Sequence, residues 1–351
     1  MKKIFLNSIK YLAALIISFI CFEFFLSWTK ISVPSVVVND SKLGYKFKPK
    51  AEIFSLEEGF CMGTINELGY IGPAYSYKKE SDVYRIALIG DSYVEGFQLF
   101  ERHHFGRILE NELQKITNKK IEILNFGVAG ADFRKMYLID EQLVSQFNTD
   151  LNLFFISTGS LINKDENLGP DFKVVNDSLV IDYSFASSNE FKIKEKLDFT
   201  RNFAFYSLIQ KAYARYKSGK ALDILFDKFN FFKKTKKNKP ESKKNNPRDK
   251  FYEVNRILFN KLNAKETISH HSVFIIRSKL PDHYSFIKDK FLTYNLYTLT
   301  DSLKSIGKDP FYWKPTRVSG HWNHFGHKII GKTLASFLSK YITSSNFIAK
   351  H

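Results

Sequence analysis

"RIALIGDSYVEG", residues 85 to 96, runs from an apolar stretch directly into Gly90-Asp91-Ser92. Ile86 to Ile89 is a short continuous apolar run, the pattern of a strand covered on both faces. Gly90 then offers a backbone conformation closed to other residues. Apolar residues return at helical spacing from Phe97 (Phe105, Ile108, Leu109, Leu113), so a helix follows. A serine in such a strand-to-helix turn lies beyond the carboxyl end of a sheet, where open α/β folds place their sites. Ser92 is therefore a candidate nucleophile, provided that a base exists. Its bland rival is a helix N-cap.

Three further apolar runs, 121–125 ("IEILN"), 151–157 ("LNLFFIS") and 272–276 ("SVFII"), share the character of the first. Helical patterns separate the first three runs, and this alternation marks a parallel sheet with helices on its faces. Residues 164–268 interrupt it. They hold "FAFYSLIQKAYARY", a lysine-rich run and "FYEVNRILFNKL", which together read as a helical insertion, a candidate lid. "HKIIGKTLASFLSKYI" closes the chain as a helix on the sheet.

Strand ends of a parallel sheet emerge on one edge, so the loops "LNFGVAG" (124–130), "FISTGSLIN" (155–163) and "SGHWNHFGH" (319–327) can converge on Ser92. His321 is the candidate base, needing only hydrogen-bond reach of the Ser92 hydroxyl. The backbone N–H groups of Ser92 and Gly130 are candidates to hold a developing oxyanion. His324 and His327 flank a helix start and read as structural. The pairs His103-His104 and His270-His271 suggest metal ligation only superficially, because adjacent side chains diverge and no third ligand is evident. No metal and no cofactor is assigned.

The 351 residues carry a formal charge of +17. The basic residues are dispersed except for "KKTKKNKPESKKNNPRDK" (233–250), which lacks aromatic interleaving and reads as a solvated loop rather than a nucleic-acid surface. The two cysteines, Cys21 and Cys61, give no zinc spacing, and an intrachain disulfide is not expected of them. "YLAALIISFICFEFFLSW" (11–28) has Glu23 as its only charge and covers about 27 Å as a helix, close to the hydrocarbon thickness. A cleaved signal peptide is the rival, but "SWTKISVPS" offers no good small-x-small site, so residues 1–30 read as an uncleaved signal anchor. Residues 31–80 form a turn-rich stem that lies against the main domain, 81–351.

"IGDSYVEG", "LNFGVAG" and "HWNHFGH", in this order, resemble three sequence blocks of the SGNH/GDSL hydrolases. That resemblance implies a flavodoxin-like three-layer α/β/α fold and serine-dependent chemistry on esters. "LGYKFKP" and "NELGYIG" in the stem are similar to membrane-anchored or exported bacterial members that modify O-acyl groups of cell-surface glycans. Carried over, Ser92 matches the nucleophile, Gly130 the oxyanion glycine, His321 the general base, and Asp91 the aspartate beside the serine. Two positions depart from the pattern. The family's oxyanion asparagine falls at Ser160 or Leu161, with Asn163 two or three residues late. Its aspartate before the histidine falls at Ser319 or Val318, with Asp309 the nearest upstream carboxylate. Ser319 is thus the expected weak third member of a Ser92–His321 centre.

The expectation is a serine-dependent esterase or acyltransferase acting on an acylated glycan or other ester, held in the cell membrane by one helix with its C-terminal domain outside the cytoplasm. The alternative is a degenerate member that keeps the fold as a glycan-binding or assembly subunit. The oligomeric state is not legible.

Overall fold

The computed structural model describes residues 2–163, 168–176, 178–217, 250–266 and 271–342. Most of the lysine-rich run, together with His270, lies outside the described residues. In chain order the elements begin with the helix α1 (Lys2–Thr29), followed by the antiparallel pairs β1 (Val37–Asp40) with β2 (Gly44–Phe47) and β3 (Glu52–Ser55) with β4 (Cys61–Thr64). Then come β5 (Val83–Gly90), the one-turn α2 (Ser92–Glu95), α3 (Phe105–Gln114), β6 (Lys120–Gly127), α4 (Phe133–Gln142), β7 (Leu151–Ile156) and α5 (Thr158–Ile162). The inserted region gives the hairpin β8 (Asp171–Val175) and β9 (Ser178–Asp182), then α6 (Asn189–Lys196) and α7 (Ala204–Lys217). The chain continues through α8 (Tyr252–Asn263), β10 (His271–Ile276), β11 (Leu292–Asn295), α9 (Leu296–Ser305), the two-residue strands β12 (Tyr312–Trp313) and β13 (Val318–Ser319), and α10 (His324–Ile342).

All four apolar runs become strands of one parallel sheet, ordered β11-β10-β7-β5-β6. Numbered by appearance from the β6 edge this is 2-1-3-4-5, the flavodoxin-like order, whose chain reverses direction between its first and third strands. That switch point lies at the ends of β5 and β7, beside Ser92. The fifth strand, "LTYN", escaped the sequence reading because all four residues are only half-buried at the sheet edge.

Alternate residues of the strands feed two cores. Ile86, Leu88, Ile123 and Leu153 pack with Phe105 and Leu109 of α3 and Ile330 and Leu334 of α10. Ala87, Ile89, Leu124 and Phe154 pack with Phe133 of α4 and Leu258 and Phe259 of α8. The sheet between two helical layers is the three-layer α/β/α architecture.

Two boundaries differ from the sequence reading. "FYEVNRILFNKL" belongs to the body, since Phe259 stacks on Phe133 with ring centroids 4.2 Å apart; α8 is the crossover helix from β7 to β10. The remaining insertion is not purely helical, because Asp171–Val175 and Ser178–Asp182 pair antiparallel. The stem packs against the body. Phe47, Ile53, Ile65 and Tyr70 are buried in the α4-side core, and the Ile71 N–H donates to Asn125 O at 3.1 Å, covering part of the β6 edge.

Candidate active site

Ser92 stands at the first position of α2, and the N-cap is Asp91, whose carboxylate accepts from the Tyr93 N–H at 3.1 Å. Capping therefore falls to the aspartate and leaves the serine hydroxyl unspent. Gly90 serves closeness rather than an unusual dihedral: its φ is not positive, and a Cβ there would sit 2.4 Å from Val94 Cγ2. A Cβ on Gly127 of β6 would lie 2.2 Å from the Glu95 backbone nitrogen. Two side chains fix the turn from beneath, with Asn125 Nδ2 donating to Val94 O at 2.8 Å and His104 Nε2 donating to the same oxygen at 2.9 Å. His104 Nδ1 accepts from the Gly106 N–H, and burial brings this imidazole's pKa down to about 3. It is a neutral structural group.

His321 lies 2.7 Å from Ser92, Nε2 to Oγ. Its loop is held by Trp313 Nε1 donating to His321 O at 3.0 Å and by Asn323 Nδ2 donating to Asp309 O and Tyr312 O. The neighbouring Trp322 is buried against Phe105, and His327 accepts from the Phe105 N–H at 3.1 Å. Burial holds the His327 imidazole well below its ordinary pKa, which makes it a tie between α10 and α3. The two other histidines of the motif are thus accounted for by packing, as His324 faces Trp313 and His103.

The imidazole nitrogen facing away from Ser92 meets Glu58, not Ser319. His321 Nδ1 lies 2.9 and 3.0 Å from the two Glu58 carboxylate oxygens, and the His321 backbone N–H donates to Oε2 at 2.8 Å. An ionised carboxylate only accepts, so Nδ1 carries the proton and Nε2 presents its lone pair to the serine hydroxyl. Glu58 comes from the loop joining β3 to β4, inside the stem segment. Gly320 makes room for it, since a Cβ there would fall 2.1 Å from Glu58 Oε1. Ser319 and Val318 instead form β13, paired with β12, and both are exposed. Asp309 caps a turn by accepting from the Phe311 N–H. The triad-like third position is taken by a residue that no motif spacing pointed to.

On the opposite side of Ser92, a cavity of 260 Å³ is lined by Gly130, Ser157, Gly159, Ser160 and Asn163. Gly130 has φ +79°, a left-handed conformation that favours glycine. The backbone N–H groups of Ser92 and Gly130 meet no acceptor among the described residues. Ser160 cannot serve as a third donor in this arrangement. Its hydroxyl donates to Ser157 O at 2.8 Å and accepts from the Ser157 N–H, closing the capping box of α5. Asn163 does line the cavity, its amide nitrogen beside Gly159. Its backbone oxygen is anchored by Arg134.

Two clefts flank this centre. One, of 390 Å³, is bounded by Glu58, Ser92, Glu95 and His321, by the chain just after α1, and by Ser207, Gln210 and Lys211 of α7. Burial, reinforced by Asp91, pushes the Glu95 carboxyl up to about 8, while the Ala129 N–H donates to it at 3.1 Å. The other cleft contains Arg277 at the end of β10, which pairs with Asp91 and lies 4.2 Å over the Tyr93 ring. Arg277, like Glu58, was not singled out in the sequence; its position just past the fourth apolar run was the available signal.

No family model and no curated protein matches this sequence. Among solved structures the chain is similar to a lipase/acylhydrolase from Enterococcus faecalis, with 10% identity over 73% of this chain and 96% of that one and a TM-score of 0.38. It is also similar to a G-D-S-L family lipolytic protein from Desulfitobacterium hafniense, with 10% identity over 72% and 98% of the two chains and a TM-score of 0.29. A third similarity is to an acetyl xylan esterase, with 11% identity over 72% and 99% and a TM-score of 0.36.

Proposed function

We propose that this protein is a serine-dependent esterase or acyltransferase of the SGNH/GDSL type, working through Ser92, His321 and Glu58. The observation that carries this reading is the unbroken chain from Ser92 Oγ to His321 Nε2 at 2.7 Å and from His321 Nδ1 to Glu58 at 2.9 Å. In the first step Ser92 Oγ attacks the acyl carbonyl and its proton passes to Nε2. Glu58 stabilises the resulting imidazolium and holds the productive tautomer. The carbonyl oxygen becomes an oxyanion facing the N–H groups of Ser92 and Gly130, with the Asn163 amide as third donor. Collapse breaks the ester C–O bond, and His321 returns its proton to the departing alcohol. Water, or a second hydroxyl compound, then resolves the acyl-enzyme by the same steps in reverse. Hydrolysis and transfer share these residues and differ in the acceptor.

The substrate is read as an O-acyl group on a glycan outside the cytoplasm, on the strength of the stem motifs. The helix Ile4–Thr29, whose most apolar 18 residues have a mean hydropathy of 2.1 with little of them buried, is long and apolar enough to cross a membrane and is read as the anchor. The test is hydrolysis of p-nitrophenyl acetate by the full chain in detergent. Turnover that disappears in Ser92→Ala and in His321→Ala, with both variants folded, supports the reading. An inert wild type supports the degenerate alternative, and a fully active Ser92→Ala overturns Ser92 as the nucleophile.

A further inference from the structure

Glu23 is a carboxylate within the apolar stretch 11–28 of α1, six residues before the end of the helix, where a charge is costly. It has a defined task. Its two oxygens accept from the backbone N–H groups of Ala204 and Phe205, the latter at 3.0 Å, and so cap the amino terminus of α7. Around this cap Phe19 packs edge-on against Phe203 and Phe205, at 5.9 and 5.7 Å, and Phe22 against Phe205 at 5.9 Å. At 1.5 Å per residue, Glu23 and Phe19 lie about 9 and about 15 Å before the last residue of α1. If α1 crosses a bilayer, the start of α7 reaches the same depth. A helix start in lipid needs its free N–H groups satisfied internally, and the Glu23 carboxylate satisfies two of them.

The faces of α7 are divided accordingly. Ile209, Tyr213 and Tyr216 follow one another at helical spacing on one face, and all three are exposed. Ser207 and Lys211, on the opposite face, line the cleft that leads to Ser92. Phe199, in the turn before α7, is 60% exposed. Exposed tyrosines beside apolar side chains suit the boundary between lipid and water.

We propose that the Phe199–Tyr216 segment docks on the bilayer surface, its apolar face in the lipid, and that α7 is the wall separating the Ser92 cleft from the membrane. The cleft then lies about one helix diameter, roughly 10 Å, from the lipid. The enzyme reaches acylated substrate at the membrane surface rather than at the end of a long tether. This inference rests on the reading of α1 as the anchor, and the experiment separates the two. In a Cys21→Ser, Cys61→Ala background, the full chain carries a single environment-sensitive fluorophore at Trp28→Cys, Ile209→Cys, Tyr213→Cys or Ile306→Cys. Each is reconstituted in phosphatidylglycerol/phosphatidylethanolamine vesicles with and without doxyl-labelled lipid. The proposal expects positions 28, 209 and 213 to lose most of their emission to the doxyl quencher, and position 306 to keep it. Quenching at 28 but not at 209 and 213 overturns the docking of α7 and leaves the anchor standing. Blue-shifted emission at 209 or 213 without doxyl quenching means that a second protein copy covers this face, which also overturns it. Absence of quenching at 28 overturns anchor and docking together.

Discussion

Glu58 grips His321 at two points, its carboxylate accepting from the ring Nδ1 at 2.9 Å and from the backbone N–H of the same residue at 2.8 Å. The two hydrogen bonds fix both the tautomer and the direction of the ring. Glu58→Gln is expected to lower kcat on a small ester by on the order of 10³ to 10⁴, the scale seen when the orienting carboxylate of a triad is neutralised. KM should change little. Ser319→Ala, in steady-state assays beside it, should behave as wild type; a large loss there with a silent Glu58→Gln would return the role to Ser319.

Gly320 makes that grip possible. A methyl group at this position would meet Glu58 Oε1 at 2.1 Å, so Gly320→Ala must displace the carboxylate or the loop. The expected outcome is a kcat loss approaching that of Glu58→Gln while thermal unfolding shifts by only a few degrees. Unchanged kinetics would mean that the contact between Glu58 and His321 is not required.

On the oxyanion side, Asn163 and Ser160 are expected to separate cleanly. Asn163→Ala removes an amide donor from the cavity beside Ser92 and should cost about 10² to 10³ in kcat. Ser160→Ala breaks the α5 capping box and should cost stability of about 1 kcal/mol, read by denaturant unfolding. The opposite pattern would place the third donor at Ser160.

The Glu95 carboxyl titrates near 8 because burial disfavours its charge, against an ordinary value of 4.5. The folded protein therefore binds a proton that the unfolded chain releases between these values. Its stabilising contribution is full below pH 4.5 and is lost as pH rises through about 8. Glu95→Gln keeps an acceptor for the Ala129 N–H and cannot ionise. The variant's melting temperature should fall less than wild type's from pH 5 to pH 8; parallel curves would exclude Glu95 as the source.

How much of this was legible followed from where the physics is local. The four apolar strands announced themselves because buried parallel strands are apolar on both faces, and Ser92 and His321 lie in loops adjoining such elements. β11 was hidden because "LTYN" is an edge strand with no buried position. The β8–β9 hairpin carried a readable signal in "FKVVNDSLVID", where turn-forming residues separate two short apolar, β-branched-containing runs, but it was absorbed into a helical insertion. Glu58 had no local signal. A carboxylate partner for an imidazole needs only proximity, and "SLEEGF" reads as an ordinary charged loop until the stem is seen folding back over the sheet. Ser319 was expected from a motif offset, whereas the backbone there is committed to pairing with β12.

The central claim is that Ser92 is a nucleophile activated by His321, and covalent labelling tests it without knowledge of the substrate. The full chain in detergent is treated with a fluorophosphonate probe, and the labelled peptide is identified by mass spectrometry. The account predicts stoichiometric modification of Ser92, abolished in Ser92→Ala and strongly slowed in His321→Ala. A folded wild-type protein that stays unlabelled at Ser92, or that is labelled equally fast without His321, would contradict it.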